Sequence, residues 1–374
     1  MVCILFLSLL LGMISCRKES NDFETRYLLF KVDGSGNIEG FIDKNTSTDY
    51  FPKGQTAALL SLFKDSVYIH PNNAQWNEDT RQISLIYPNG SEAKVGIQSK
   101  ENYLRFELLS LEPRNGVEAI VWGPYPTTIG QMIGETVCVV RNADYSIGLQ
   151  SLEINTIEGV PETGDDAGGG QFIEPLPGQE LHDSLKDRKG ERVHINVNQA
   201  GDLPNYVRQY RGSAAIKRPY GSELRLFSRD RREPRVIGEG MDIQYVQPVE
   251  VDFTGSAIAL FGCPEPNTLD VIEKIELAEG LPHPEWKGRW IKKSEELNEP
   301  YLLAGGDFDR AMEYAKACGF RRIHLGDVFK TWGHFGLKTD RFPDGAEDIR
   351  ELVERARKED ISLGVHTLTM FLLF

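Results

Sequence analysis

Four residues toward the C-terminal end of the chain are of the types that grip a polyol: Asp327, Trp332, His334 and His366. An ionised carboxylate accepts hydrogen bonds and so pairs with hydroxyl groups. An indole offers a flat apolar face on which a pyranose ring can stack. A neutral imidazole donates from one nitrogen and accepts at the other. Such a set suits recognition of a sugar or glycan. The four are therefore candidate substrate-binding residues, and no catalytic residue is assigned. CxxC, HExxH and paired-His spacings are absent from the sequence. No metal is expected on that basis, and no cofactor.

The pattern around these residues shows how they would be positioned. An apolar run at 301–304 predicts a short strand. Phe308, Ala311, Met312 and Ala315 recur at helical spacing and predict a helix over 309–318, closed by Gly319. A second strand is expected at 322–327, then a loop over 328–343. Asp344 and Glu347 have the spacing of a capping box, followed by Ile349, Leu352, Val353 and Ala356 as the apolar face of a second helix. A third strand is expected at 362–367. Strands alternating with helices imply parallel pairing and right-handed crossovers. In such units ligands gather at the carboxyl ends of the strands. Gly305, Gly306 and Asp307 follow the first strand, Asp327 ends the second and His366 the third. Trp332, His334 and Phe335 lie in the loop beyond the second strand. Asp307 reads as a helix N-cap more readily than as a ligand. Asp327 has no helix to cap. His324, in mid-strand, reads as an internal hydrogen-bonded histidine.

Upstream, residues 27–264 read as β-rich. Short β-branched and aromatic runs recur between turn dipeptides such as Asp33-Gly34, Asn89-Gly90 and Asn115-Gly116. Strands are expected near 27–32, 67–70, 82–87, 93–97, 103–108, 117–122, 135–140, 193–197, 223–227, 243–246 and 257–261. This spacing predicts a large antiparallel β-sandwich. Trp122 to Thr128, rich in aromatics and proline, is either core packing around a rigid turn or a wall of a neighbouring sugar site. The basic residues Lys217, Arg218, Arg225, Arg229, Arg231, Arg232 and Arg235 form either a charged hairpin face or a patch for an anionic glycan. Asp165 and Asp166, in a glycine-rich stretch, read as a solvated loop rather than a calcium site. A helix is expected over 267–279, with Asn267 as N-cap and Leu269, Val271, Ile272, Ile275 and Ala278 as its apolar residues. An extended linker anchored by Trp286 and Trp290 follows.

Residues 2–15 are almost wholly apolar, too short to span a bilayer and typical of a signal-peptide core. Met13-Ile14-Ser15-Cys16 resembles a bacterial lipobox, which implies cleavage before Cys16, lipidation of that cysteine and anchoring at the outer membrane of the cell envelope. An ordinary signal peptide with an incidental cysteine is the other reading. Cys138, Cys263 and Cys318 are far apart and read as buried small hydrophobes. The 374 residues are enough for two or three domains, at ~150 residues each. The 40% hydrophobic and 26% charged composition is that of a core-forming chain. With 42 Lys and Arg against 56 Asp and Glu, the net charge of −14 disfavours nucleic acid as a partner.

The run Gly319-Phe320-Arg321-Arg322-Ile323-His324-Leu325-Gly326-Asp327, then Phe342-Pro343-Asp344-Gly345, then Ile361-Ser362-Leu363-Gly364-Val365-His366 resembles the barrel opening of the α-galactosidase-like glycoside hydrolases of clan D. The match covers about residues 301–367. It implies a β-sandwich followed by a (β/α)8 barrel, and a sugar-binding aspartate pair after the second strand. Gly326 stands at the first position of that pair and Asp327 at the second. The expected fold class is multidomain β plus α/β, a large antiparallel β-sandwich followed by the first three strands of a TIM-type (β/α)8 barrel. The expected organisation is 1–15 signal peptide, 16–26 tether, 27–264 sandwich, 265–300 helix and linker, and 301–374 partial barrel. A whole barrel takes about 250 residues, so the catalytic carboxylates are expected beyond residue 374. The sequence thus reads as the N-terminal portion of a lipid-anchored glycosidase. A non-catalytic glycan-binding or scaffold lipoprotein is the alternative, and a sugar isomerase or epimerase a third class.

Overall fold

The computed structural model describes residues 20–134, 138–158, 171–173, 180–189, 207–209, 214–232, 235–236, 245–295, 299–331 and 335–366. The lipobox with Cys16, the Asp165-Asp166 stretch, the strand expected at 193–197, and Trp332 and His334 lie outside the described residues. The chain divides into two compact units, Met1–His283 and Pro284–Phe374.

The first unit is built from antiparallel sheets. One has eight strands, in the order Met132–Ile133, Val139–Arg141, Tyr145–Ser151, Ala257–Pro264, Leu104–Glu112, Glu92–Ser99, Gln82–Ile86 and Asn73–Asn77. A second has five, in the order Ala215–Arg218, Gly221–Arg229, Ala119–Thr127, Ser61–Lys64 and Val67–Ile69. A third comprises Asn21–Glu24, Leu28–Val32 and Ile38–Asp43. Alternating burial, as in Leu28, Phe30 and Val32, marks strands with one face on a core. Aromatic rings tie the three sheets together. Phe30 lies 5.8 Å from Phe106, Phe106 stacks on Trp122 at 6.2 Å, and Phe41 lies 6.2 Å from Tyr125. The hairpin at Pro88-Asn89-Gly90 is formed, with Gly90 at φ 84° and Ile86 opposite Glu92.

Trp122 and Tyr125 are fully buried. The pairing register shifts between them, and both side chains lie in the core. Core packing, not a sugar-facing wall, is their role. The basic cluster is likewise engaged. Arg218 forks onto buried Glu223 at 2.7 and 2.8 Å, Arg225 and Arg229 are buried, and Arg232 pairs with Asp230.

Helix Thr268–Glu279 belongs to this unit. It is joined to the sheet by Ser146 Oγ and Thr268 Oγ1 at 2.6 Å and by Arg105 Nε donating to Glu279 at 3.2 Å. It buries Val271, Ile272, Ile275 and Glu276, whereas Leu269 and Ala278 face outward. Asn267 makes no side-chain cap. A 3-10 turn over Glu265–Asn267 leads directly into the helix, so the Asn side chain has no open first turn to close. Cys138 and Cys263 are buried as expected, but Cys318 is exposed, because it ends its helix on the outward face.

In the second unit the stretch expected as an extended linker opens with a two-stranded hairpin, Glu285–Trp286 against Arg289–Trp290. Lys287 and Gly288 supply the positive φ values of its turn, 51° and 73°. Trp290 is buried, while Trp286 is exposed, so one tryptophan rather than two serves as an anchor.

The strands Leu302–Ala304, Arg322–Leu325 and Ser362–Val365 follow, parallel and adjacent in chain order. Helices Phe308–Cys318 and Ala346–Lys358 form the crossovers. Phe308, Ala311, Met312 and Ala315 pack with Ile323, Leu325, Val328, Phe342, Ala356 and Ile361 in one core.

Candidate functional site

The site is assembled at the carboxyl ends of these parallel strands. Gly326 N donates to Ala304 O and His366 N to Leu325 O, each at 2.9 Å. These two bonds bring the ends of all three strands together. They place Gly305 and Gly306, Gly326 and Asp327, and His366 along one rim.

Asp307 caps the first helix. Its carboxylate accepts from Asp309 N at 2.8 Å and Arg310 N at 3.1 Å. That satisfies two amides that the helix cannot pair internally. The expected capping box at Asp344 and Glu347 does not form. Gly345, at φ 65°, stands at the cap position with no side chain to offer, and Asp344 N instead donates to Asp348 Oδ2 at 2.8 Å. The tight turn that only a left-handed residue allows displaces the box by one residue.

Asp327 has a partner set that the sequence did not suggest. Lys338 Nζ donates to its Oδ1, and Arg341 Nη1 to its Oδ2 at 3.2 Å. Arg341 also donates to the backbone oxygens of Asp327 and Gly306. The loop geometry explains how cations 11 and 14 residues away arrive there. Lys330 N donates to Gly336 O at 2.8 Å and Lys338 N to Val328 O at 3.0 Å, with Phe329 bridged to Leu337. The chain therefore leaves the strand end and returns beside it, with Val328 and Phe342 buried as anchors. The Lys338 hydrogen bond and the two positive charges hold the Asp327 carboxyl below the usual range, so it is ionised at neutral pH. It remains 48% exposed. A carboxylate has about four acceptor positions, so two ion pairs leave capacity for a ligand hydroxyl.

His324 is half-buried, stacked on Tyr301 with ring centroids 4.2 Å apart. Its ring lies against Gly364, where a Cβ would meet Cδ2 at 2.9 Å. Burial, then Arg322 and His366, push its pKa down and favour the neutral ring. Lys338, Arg341 and Tyr301 are the site neighbours that sequence reasoning missed. The available signal was the Lys-x-x-Arg spacing in a loop that begins and ends near the same strand. Among the described residues no group of three His, Cys, Asp or Glu side chains is placed to hold a metal ion.

No protein-family model and no curated protein matches this chain. Solved structures do match it. An α-N-acetylgalactosaminidase from Bifidobacterium bifidum is 8% identical, with a TM-score of 0.37, over 93% of this chain and 59% of that one. The same enzyme in complex with GalNAc gives 9% identity and a TM-score of 0.36, over 93% and 58% of the two chains. A GH31 family sulfoquinovosidase from E. rectale is 7% identical, with a TM-score of 0.32, over 93% of this chain and 43% of that one. These neighbours are glycoside hydrolases, and this chain spans less than two thirds of the length of each.

Proposed function

We propose that this chain is part of a secreted glycoside hydrolase of α-galactosidase-like type, lipid-anchored through Cys16 at the outer membrane and acting in glycan breakdown. Its parallel strands would be the first three of a (β/α)8 barrel. In this reading Asp327, with Trp332, His334 and His366, contributes sugar binding. The observation that carries it is the gathering of Gly305-Gly306, Asp327 and His366 at the carboxyl ends of three parallel strands. An exposed, ionised carboxylate fixed by two cations is a preorganised acceptor for sugar hydroxyls.

Hydrolysis is not assigned to the described residues. It needs two carboxyl groups about 5–9.5 Å apart, and the strand-end carboxylates described here are a helix cap, Asp307, and an ion-paired Asp327. The same observation favours the second reading, a glycan-binding lipoprotein without turnover of its own. A glycan array probed with the full chain tests recognition. Binding that Asp327→Ala removes supports the proposal, whereas an empty array or an unaffected variant refutes it. Aryl-glycoside turnover by this chain would place the catalytic pair within it. Metabolic labelling with a fatty acid, lost in Cys16→Ser, tests the anchor.

A further inference from the structure

We infer that this site selects a sugar unit bearing an oxyanion, a carboxylate or a sulfate, through Lys338 and Arg341. The inference rests on the carbohydrate reading above. The cluster holds two cations against one carboxylate. Neither cation is exhausted by the pairing. Lys338 directs its ammonium at Asp327 Oδ1, which uses one of three donors. Arg341 reaches Asp327 O, Asp327 Oδ2 and Gly306 O, which uses three of five. Both side chains keep contact with solvent, 32% and 23% exposed.

Arg341 is held from two sides by backbone carbonyls and lies 5.5 Å from the Phe342 ring centroid. A guanidinium held in this way presents its remaining donors in a fixed plane, the geometry that suits carboxylate and sulfate oxygens. Among the described residues, a Cβ built on Gly305 or Gly306 would meet nothing within 4 Å. The chain as a whole carries −14. Its general field repels anions, but at physiological salt that field is screened within ~8 Å. Capture of an anionic ligand must therefore come from cations at the site itself. The pair carries one positive charge more than Asp327 neutralises, an excess that a negative ligand would balance.

The test is ligand-observed NMR titration of the full chain with methyl α- and β-galactosides and glucosides, their uronates and their 6-sulfates. The uronate and sulfate arms separate the two oxyanion sources. The expected result is at least ~tenfold tighter binding of one anionic form than of its neutral counterpart, equivalent to ~1.4 kcal/mol, with the ratio shrinking as salt is raised. Lys338→Met should cut anionic binding about tenfold more than it cuts neutral binding. Lys338→Arg should restore the preference. Equal or tighter binding of neutral sugars overturns the inference and leaves the carbohydrate reading standing. So does an equal loss for both classes in Lys338→Met with no rescue by Lys338→Arg, because that marks a structural role only. Absence of binding by every sugar overturns both.

Discussion

Replacing Trp122 by alanine tests the assignment of this residue to the core rather than to a ligand wall. Its side chain is fully buried, stacked on Phe106 at 6.2 Å, and its Nε1 donates to Ser256 Oγ at 2.9 Å. Large-to-small truncation of a buried tryptophan costs about 3–5 kcal/mol, from lost transfer energy and the cavity left behind. The indole hydrogen bond adds only about 1 kcal/mol. Ser256 keeps Thr156 and Ser228 as partners at 2.7 and 2.8 Å, so it is not left unsatisfied. A loss near 4 kcal/mol is expected, a large share of the ~5–15 kcal/mol that stabilises a typical domain. In urea titrations followed by circular dichroism, a slope of ~2 kcal/mol/M moves the midpoint down by ~2 M. Trp122→Phe keeps the stack, loses the donor, and should shift it by ~0.5 M. Sugar binding of Trp122→Phe should equal that of the parent. A midpoint unchanged in Trp122→Ala, or binding lost in Trp122→Phe at intact stability, would refute the core assignment.

Glu223 should show in the acid limb of stability. Burial pushes its pKa up, but the Arg218 fork outweighs burial and holds it below 4.5. A depressed folded pKa gives stability that is present above about 4.5 and lost as pH falls through the folded value. Glu223→Gln should therefore cost about 2 kcal/mol at pH 7, less than a fully buried pair because Arg218 is a third exposed, and should flatten the acid limb in thermal melts at pH 2–5. Gly221 sits at φ 142°, and a Cβ there would lie 2.3 Å from Thr127 O. Gly221→Ala should destabilise the first unit by at least ~2 kcal/mol in the same urea titration, and a neutral result would contradict the close backbone approach. Asp307→Ala should cost ~1 kcal/mol, read as faster amide exchange in the first turn of Phe308–Cys318. Unchanged exchange would deny the cap.

Legibility in the sequence followed the range of the interaction. The helix over Phe308–Cys318 was readable because its face, its Asp cap and its Gly319 stop all lie within about a dozen residues. The hairpin at Asn89-Gly90 was readable for the same reason. Strands Asn73–Asn77, Ser61–Lys64 and Asn21–Glu24 were not. Asn73–Asn77 carries no buried residue, and the other two are only four residues long. Pairing defines them more than composition does. Asp344 and Glu347 matched a local motif that a left-handed Gly345 overrode. Asp327 was found as a residue type at a strand end. Its partners Lys338 and Arg341 were not, since a loop must first fold back before those charges meet.

That return of the loop bears on how one side chain can serve both fold and recognition. An exposed carboxylate at a strand end, left alone, would be solvated, mobile and equally willing to bind any donor. Lys338 and Arg341 remove that freedom, and Arg341 fixes Gly306 at the neighbouring strand end in the same step. The cost of ordering the acceptor is then met in folding rather than in binding, which is how preorganised sites gain affinity without added contact area. Loss of Arg341 should accordingly loosen the Gly306 turn and the loop together, whereas loss of Lys338 should alter charge at the rim and leave the turn in place. Amide-exchange rates at Gly305 and Gly306 compared between Arg341→Met and Lys338→Met separate the two. Equal rates in both variants would mean that the arginine is not the residue joining the strand ends.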